Sequence, residues 1–435
     1  MASVVELENM LKDVFSEEEV LRRQHHCIYR VPGQIKDLNP KAYRPQVVSL
    51  GPLHHGDPEL VPMEEHKRRA LQHLLRRSGR QLKEFADAVE DVADRLESAY
   101  VGLGTEWRGR EAGRERFVVV MIVDGCFLLE VMRVAGVVTA KHADDYAPND
   151  PIFSRHGLLN MVPYIRRDML MLENQLPLLL LQTLVTVETA KPPADDIINR
   201  MVLRFLSPCS RLPTDGVRLG LHLLDVYRGG MLLGQYHIPR RRRYVESIDI
   251  IRSAVMLRAA GIKFEASKTG SLHDIGFRRG VLSLPSVSVD DSTEYVFLNL
   301  MAFERLHVGA GNDVTEYVFF MDSIINSAED VVLLSSKGII QNAVGTDGAV
   351  ANLFNTISKE VVVDPDSPLD AVYREVAAYC QHPWRLFRAR VVLADRYFKD
   401  NPWALFSLSS VVIALIATVL QTVYTLMQFY RDKGN

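Results

Sequence analysis

The sequence has few cysteines, and none of them are arranged to bind a metal or to form a disulfide framework. The four that are present lie far apart and include no CxxC pair: Cys27, Cys126, Cys209 and Cys380. This spacing is typical of reduced thiols and excludes a disulfide-stapled secreted domain or a cysteine zinc site. The net charge of -3 lacks the basic excess of a dedicated nucleic-acid binder, so we expect no nucleic-acid partner.

Signatures of common catalytic and nucleotide-binding sites are absent as well. Neither the GxSxG nucleophile elbow nor the phosphate-binding patterns GxxxxGKS/T and GxGxxG occur in the 435 residues. The sequence therefore assigns no catalytic residue, no cofactor and no bound metal. We expect a binding protein rather than an enzyme.

Charged side chains are also missing from the run Asn401 to Tyr430, close to the C-terminus. The segment Trp403 to Met427 would span roughly 38 Å as a helix, against about 30 Å of hydrocarbon in a bilayer. Aromatic residues lie near both ends, as at the two membrane interfaces. The pattern predicts a transmembrane anchor at residues 401–430 and a short tail at 431–435. A buried core helix is the alternative.

The residues that flank this span predict its orientation. More basic residues lie before it than after it: Arg385, Arg388, Arg390, Arg396 and Lys399, against Arg431 and Lys433. The positive-inside rule therefore predicts a single-pass protein whose bulk is cytosolic, with the juxtamembrane arginines close to an anionic leaflet. The acidic N-terminal sequence lacks the basic start and apolar core of a signal peptide, which indicates insertion by the tail. The length of the anchor favours the thicker plasma membrane, although tilt would also absorb the excess.

One stripe of the predicted anchor is small and polar. Spacings of three and four place its members on one helix face: Ser410, Ala414, Thr418, Gln421, Thr425 and Gln428. Small residues permit close helix approach and amides can hydrogen-bond across a pair, so the stripe is a candidate homo-oligomer interface. The alternative is that the two glutamines merely lie near the membrane interface.

Residues 1–400 are typical of one mainly helical α+β body. Amphipathic periodicity predicts helix from Met63 to Tyr100, and apolar runs predict core helices at Phe117 to Val134 and Met169 to Val187. Pro177 is expected to end or kink the last of these. Short alternating segments after Ile262 predict a small antiparallel β region at about 262–290.

The densest group of histidines is a candidate functional site. His54 and His55 in LGPLHHG are followed by His66 in MEEHK, with several carboxylates nearby. Nitrogen and carboxylate ligands of this kind can bind a divalent metal. No HExxH or other defined ligand spacing is present, however, and hydrogen bonds that hold the loop together are the structural alternative.

Four polar residues interrupt the predicted core helices. Asp124 lies in MIVDGCFLLE, where an ionised carboxylate must find a partner or stay protonated. It is either a candidate catalytic acid or half of an ion pair that fixes helix packing. Glu173, Asn174 and Gln175 precede a proline and either contribute to a site or satisfy backbone groups freed there. An enzyme built from the histidine loop and these buried carboxylates is the alternative to a binding protein.

Motifs along almost the whole chain resemble the plant-specific Domain of Unknown Function 247 family: CIYRVP, AYRPQVVSLGPLHHG, MEEHK, MIVDGCFLLE, DMLMLENQLP, SLHDIGFRRGVLSLP, NLMAFER, MDSIINSAEDVVLL, KGII and RYFKDNPWA. The chain departs from the family pattern at Leu53, where an aromatic is usual, and at Arg68 and Arg69, which replace a common Trp and Tyr. The resemblance implies a membrane-anchored plant protein with no established active site. Some grass members are implicated as pollen-side determinants of self-incompatibility. The resemblance thus implies recognition or signalling through a membrane or cytosolic protein partner.

Overall fold

The computed structural model describes most of the chain: residues 25–107, 111–136, 146–206, 219–233, 253–359, 367–392 apart from 386 and 390, and 402–432. Within these ranges the protein is mainly helical, with a small sheet region and one long apolar helix near the C-terminus. The predicted fold class is therefore confirmed.

The first half of the described chain forms helices around one hydrophobic core. They are α1 (Gly33–Lys36), a 3-10 turn (Pro40–Tyr43), α2 (Pro62–Ser78), α3 (Leu82–Ser98), α4 (Glu111–Gly136), α5 (Arg155–Asn160), α6 (Val162–Asp168), α7 (Leu178–Thr189), α8 (Asp195–Leu206) and α9 (Leu223–Met231). Helix α4 packs against α2, α3, α7 and α8 and buries its apolar run, including Phe117 and Phe127. The core helix predicted at Phe117 to Val134 is thus confirmed.

Two helices replace the single one predicted from Met63 to Tyr100. Gly79 ends α2 in the left-handed conformation, with φ of 69°, and its N–H donates to the Leu75 carbonyl. Helix α3 then begins with a capping box between Gln81 and Glu84. The prediction of one continuous helix was wrong at this point because the two caps stop and restart the backbone hydrogen bonding.

The helix predicted from Met169 to Val187 is confirmed only in its second half. Residues 169–177 are turns and extended backbone, and Pro177 is the N-cap of α7, with φ of -60° and ψ of 133°. Proline has no N–H to donate and favours an extended preceding residue, so it lies where the helix begins. The apolar character of 169–176 reflects burial in irregular structure.

The second half contains short strands among helices. They are α10 (Ala254–Ala259), β1 (Lys263–Ala266), β2 (Gly276–Arg278), β3 (Val281–Leu284), β4 (Val287–Val289), α11 (Thr293–Leu306), α12 (Asp313–Ile324), α13 (Ala328–Ser335), β5 (Ile340–Asn342), α14 (Asp347–Ile357) and α15 (Pro368–Cys380). Strands β2 and β3 form an antiparallel hairpin, whereas β1 pairs parallel to β3 and β4 pairs parallel to β5. Strands β1 to β4 lie within the predicted range of about 262–290, whereas β5 lies outside it. One sheet is mixed and the other is parallel, whereas an antiparallel region was predicted.

Two hydrophobic cores meet at the irregular segment 169–177. The first core is formed mainly by α2, α3, α4, α7 and α8, and the second by α10 to α15 with the sheets. Leu176 is buried in the first core and Leu172 in the second, while Leu223 and Leu224 of α9 divide in the same way. Segment 169–177 and helix α9 therefore join the two halves of the body.

The last described element is α16 (Pro402–Asp432). Its stretch Ser409–Met427 has a mean hydropathy of 1.9, and none of it is buried within the chain. By length and composition this helix is a candidate membrane span, in agreement with the segment predicted at 401–430.

Candidate functional site

Side chains from distant parts of the sequence hold the backbone of the motif loop, residues 46–56. Asp168, at the end of α6, accepts hydrogen bonds from the N–H groups of Gln46, Val47 and Val48 at 3.0, 2.6 and 3.0 Å. Burial raises the pKa of Asp168, and the three N–H groups oppose that rise by stabilising the carboxylate. Asp168 was not a predicted site residue, although it opens the DMLMLENQLP motif.

Asn174 joins the motif loop to the segment 169–177. Its Oδ1 accepts from the Leu50 N–H at 2.7 Å, and its Nδ2 donates to the carbonyls of Val48 and Asp168, both at 3.0 Å. The side chain is completely buried. It satisfies backbone groups of two irregular segments that no helix or strand satisfies.

Gln175 also satisfies backbone groups, in its own segment and at the start of α9. Its Nε2 donates to the carbonyls of Met169 and Met171 at 2.6 and 2.8 Å, and its Oε1 accepts from the Leu224 N–H at 3.2 Å. Its backbone carbonyl accepts from the Tyr100 hydroxyl at 2.9 Å. Both amides are therefore placed as the structural interpretation expects.

Asp124 forms a buried ion pair with Lys67. The Lys67 Nζ lies 2.7 Å from Asp124 Oδ1 and 2.6 Å from Glu64 Oε1, and it donates to Ser49 Oγ at 3.1 Å. Asp124 Oδ2 accepts from the Gly51 N–H at 2.8 Å. Burial raises the pKa of Asp124 to about 6, with the Lys67 charge opposing the rise. The pair ties α2, α4 and the motif loop together.

Gly51 has no room for a side chain at this junction. Its φ is 73°, and a Cβ would lie 2.7 Å from the Tyr100 hydroxyl and 3.1 Å from the Gln175 carbonyl oxygen. Both the left-handed backbone and the close approach require glycine. The motif loop can therefore reach Asp124 only with glycine at this position.

Glu173 lies beside His54 of the motif loop and contacts two other segments. Its Oε1 accepts from the Val31 N–H at 2.5 Å, and Lys36 Nζ lies 2.7 Å from the same oxygen. His54 Nε2 lies 3.6 Å from Glu173 Oε2, beyond hydrogen-bond distance. Burial lowers the pKa of His54, and the charge of Glu173 opposes this. Glu173 thus joins the backbone at Val31 to Lys36 of α1 and lies beside His54 of the motif loop.

His55 and His66 lie in different surroundings from His54. His55 packs edge-on against Trp107 with ring centroids 5.7 Å apart, and the Arg116 guanidinium lies over the Trp107 ring at 4.7 Å from its centroid. Burial lowers the pKa of both His55 and His66, and the charge of Arg69 lowers that of His66 further. Throughout the described ranges, no three His, Cys, Asp or Glu side chains are grouped so that they could hold a metal ion.

These contacts bear on the enzyme alternative. The carboxylates of Asp124 and Glu173 each face their own lysine, Lys67 and Lys36, and each accepts a backbone N–H. Groups committed to internal partners have little capacity left for a substrate. The geometry supplies a polar framework that holds loops, and no observation favours an enzyme.

His222 is a buried site that the sequence did not indicate. It is the N-cap of α9: its Nδ1 accepts from the Asp225 N–H at 3.2 Å, and its Nε2 lies 3.0 Å from the Cys27 carbonyl oxygen. A carbonyl only accepts, so Nε2 carries the proton and the ring is neutral. Burial lowers the pKa of His222 to about 4. The ring joins the backbone of Cys27 to α9.

Protonation of His222 should therefore make the fold acid-sensitive. The unfolded chain binds this proton at a pKa near 6.5 and the folded chain only near 4, so the free energy of unfolding falls as the pH drops through this window. At pH 5 the loss is about 2 kcal/mol relative to pH 7. His222→Asn keeps a capping acceptor and should remove this part of the pH dependence, measured by urea unfolding at both pH values. His382→Asn, at an exposed position, is the control, and parallel pH slopes for His222→Asn and the natural protein would refute the assignment.

A second network, also absent from the sequence predictions, links α9 to the second core. Arg228 donates through Nε to Glu304 Oε1 at 2.8 Å, and its Nη2 lies 2.9 Å from Asp313 Oδ2. Glu304 also accepts from the N–H groups of Val314 and Thr315, both at 2.9 Å. Glu304 thereby caps the N-terminus of α12. Its only sequence signal is a charged residue inside the apolar NLMAFER run.

The anchor stripe lies on α16, and its members up to Thr425 are exposed; the side chain of Gln428 is outside the described part. The hydroxyls of Ser410, Thr418 and Thr425 donate to carbonyls of their own helix at 2.7 to 2.8 Å. These hydroxyls are already satisfied. The side chain of Gln421 is exposed on the same face.

The fold defines a helical protein with two joined cores and, among the described elements, one exposed apolar helix. The residues of its sequence motifs form a polar framework that holds the loops in place. A family described as plant protein of unknown function, DUF247, matches residues 28–417. The chain belongs to this family, as its motifs indicated.

Two relatives of known sequence are similar over most of their length. UPF0481 protein At3g47200 of Arabidopsis thaliana is 32% identical, over 94% of this chain and 88% of that protein. Putative UPF0481 protein At3g02645 of the same plant is 23% identical, over 94% and 92% respectively. No solved structure matches the chain. The comparisons thus supply a family and no activity.

Proposed function

We propose that the protein is a membrane-anchored recognition or signalling component whose body binds a protein partner close to a bilayer. The observation that carries the proposal is that no residue of Ser409–Met427, the apolar part of α16, is buried within the described chain. Water is an unfavourable surrounding for such a surface, and a bilayer is a favourable one.

The contrast with α4 supports this assignment. Both helices contain long apolar runs, but most of the α4 run is buried by neighbouring helices whereas the α16 side chains are exposed. At about 1.5–3 kcal/mol for each large apolar side chain, transfer of α16 into hydrocarbon is worth on the order of 20 kcal/mol. The buried-core alternative has no covering element within the described residues.

The proposed orientation places the body in the cytosol. Basic residues are more numerous before α16 than after it, and the positive-inside rule places the more basic side in the cytosol. The plasma membrane is the proposed location because its hydrocarbon layer is thicker than average. Protease protection of tags at each end would test the orientation.

Confinement to a membrane would raise the effective concentration of the body for nearby partners. The proposed partner is a membrane or cytosolic protein. Two copies of the chain would also pair through the small and polar stripe of α16 that contains Gln421. Self-recognition during pollination, the setting attributed to some grass relatives, is one context in which such a device would act.

Two charges in the middle of α16 should release the protein from membranes. Leu415→Lys and Leu420→Lys together raise the free energy of insertion by about 6 kcal/mol, since lysine at the helix centre costs roughly 3 kcal/mol. The fraction that resists carbonate extraction should fall from most of the protein to a small remainder. Leu159→Lys with Leu82→Lys is the matched control, because these leucines are also exposed, at 68% and 49%.

The control pair should remain in the membrane fraction. Retention of the α16 variant after carbonate washing would contradict the anchor, and release of both variants would point to general unfolding. Circular dichroism of each protein in detergent separates that second case.

A further inference from the structure

A short aromatic surface lies just before α16 in the sequence. Residues 383–385, 387–389 and 391–392 have helical backbone, and Trp384, Phe387 and Val391 follow spacings of three and four that place them on one face. They are 68%, 58% and 49% exposed. The two aromatic rings stack with centroids 5.9 Å apart. We call this the aromatic face.

Other residues of the same segment are fixed to the body. Arg385 lies over the Tyr379 ring at 3.2 Å from its centroid, and its Nη1 donates to the Tyr379 carbonyl at 3.0 Å. Ala389 is buried in the second core. Arg388 lies against Gly261, where an added Cβ would be 3.3 Å from its guanidinium. The aromatic face therefore has a set orientation on the body.

A basic hairpin stands beside it. The turn between β2 and β3 is Arg279–Gly280, both with positive φ, and it approaches Tyr379 so closely that a Cβ on Gly280 would lie 2.2 Å from the tyrosine hydroxyl. Arg278 and Lys263 are exposed next to this turn. Within the described part of the chain, no carboxylate forms an ion pair with Arg278, Arg279 or Lys263 of this hairpin and the adjacent strand. The same holds for Arg385 and Arg388.

We propose that the aromatic face and the basic hairpin form a second, peripheral membrane contact that lays the body on an anionic leaflet. The inference rests on the proposed function, since it needs α16 in the same bilayer. Indole and phenyl rings favour the headgroup region, and each nearby cation adds about 1 kcal/mol with anionic lipid.

The chain length between the two contacts supports a lipid surface as the occupant. From residue 392 to residue 402 the chain spans at most roughly 35 Å when fully extended. An anchor that enters the bilayer at its N-terminal end therefore keeps the aromatic face within reach of the headgroups. Amphipathic segments with aromatic residues on one side and arginines beside them bind in this plane.

The three tryptophans of the chain provide the test, because each reports on a different place. Trp107 is buried in the first core, Trp384 lies on the aromatic face and Trp403 lies at the start of α16. Full-length variants that keep one tryptophan, with phenylalanine at the other two positions, are reconstituted in phosphatidylcholine vesicles with phosphatidylserine. Fluorescence is then quenched by lipids brominated on their acyl chains.

We expect Trp384 and Trp403 to lose roughly half of their emission and Trp107 to lose little, as interfacial rings require. Arg278→Gln should reduce the quenching of Trp384 and leave that of Trp403 unchanged. Quenching of Trp403 without Trp384 would overturn the peripheral contact and leave the anchor in place. Quenching of neither would overturn both.

The same assay distinguishes a lipid surface from a protein partner as the group that covers the aromatic face. Trp384 would then be quenched by aqueous acrylamide in lipid vesicles and protected only in native membranes, which would overturn the lipid assignment. If Trp107→Phe prevents folding, Trp384→Phe and Trp403→Phe are each compared with the natural protein. The loss of lipid-quenchable emission in Trp384→Phe then decides the question.

Discussion

Replacing Lys67 with methionine should lower the free energy of unfolding by about 3–5 kcal/mol, because it leaves a buried carboxylate without its counterion. Lys67 is completely buried, Asp124 is 1% exposed, and their charged atoms are 2.7 Å apart. Methionine fills similar volume without the charge. Urea unfolding of the full chain in detergent, followed by circular dichroism, measures the loss.

The pH dependence identifies the cause. Burial raises the pKa of Asp124 to about 6 from 3.8 in the unfolded chain, so the folded state binds its proton more tightly and this group lowers stability as the pH rises from about 4 to 6. Without Lys67 the folded pKa rises further. The loss of unfolding free energy caused by Lys67→Met, measured against the natural protein at the same pH, should therefore be smaller at pH 5 than at pH 7.

Two comparisons sharpen the result. Lys83→Met makes the same chemical change at an exposed position of α3 and should cost less than about 0.5 kcal/mol. The double variant Lys67→Met with Asp124→Asn should recover part of the loss, because no charge is left buried. Equal effects of Lys67→Met and Lys83→Met would show that the ion pair does not hold α2 against α4.

The sequence was sufficient where a long apolar pattern decides the structure. Helices α4 and α16 were predicted from their apolar runs, and polar interruptions separated the first, which is buried, from the second, which is exposed. The need of Asp124 for a partner also followed from its apolar surroundings. The sequence did not identify that partner as Lys67, because Lys67 lies among basic residues of an amphipathic helix that is typical of a solvated surface.

Long-range partners explain what the sequence could not predict. Residues 169–177 have a helical composition but are held in irregular form by groups far along the chain, such as Asn299, whose Oδ1 accepts from the Leu172 N–H at 2.8 Å. Strand β5 pairs with β4 across three intervening helices. No local periodicity encodes such a pairing, so the sequence predicted only an antiparallel β region at about 262–290 and missed β5.

Glu304→Ala should have an effect of similar size on the second core, about 3–4 kcal/mol, because this one carboxylate of α11 binds groups of both α9 and α12. It neutralises Arg228 of α9, accepts the N–H groups of Val314 and Thr315 at the start of α12, and accepts the Thr315 hydroxyl at 2.7 Å. Its removal uncaps α12 and leaves the arginine with Asp313 as its remaining carboxylate. Glu115→Ala, at an exposed position, is the control and should cost less than about 0.5 kcal/mol.

Hydrogen exchange shows where the loss falls. If Glu304 joins the two halves of the body, Glu304→Ala should raise amide exchange in α9 and α12 together, while α4 in the first core keeps its protection. Glu304→Gln retains an acceptor for the helix cap and should cost less, about 1–2 kcal/mol, since mainly the charge pairing with Arg228 is lost. Faster exchange in α12 alone would make Glu304 a helix cap and leave the joining of the cores to the Asn174, Gln175 and Asn299 contacts.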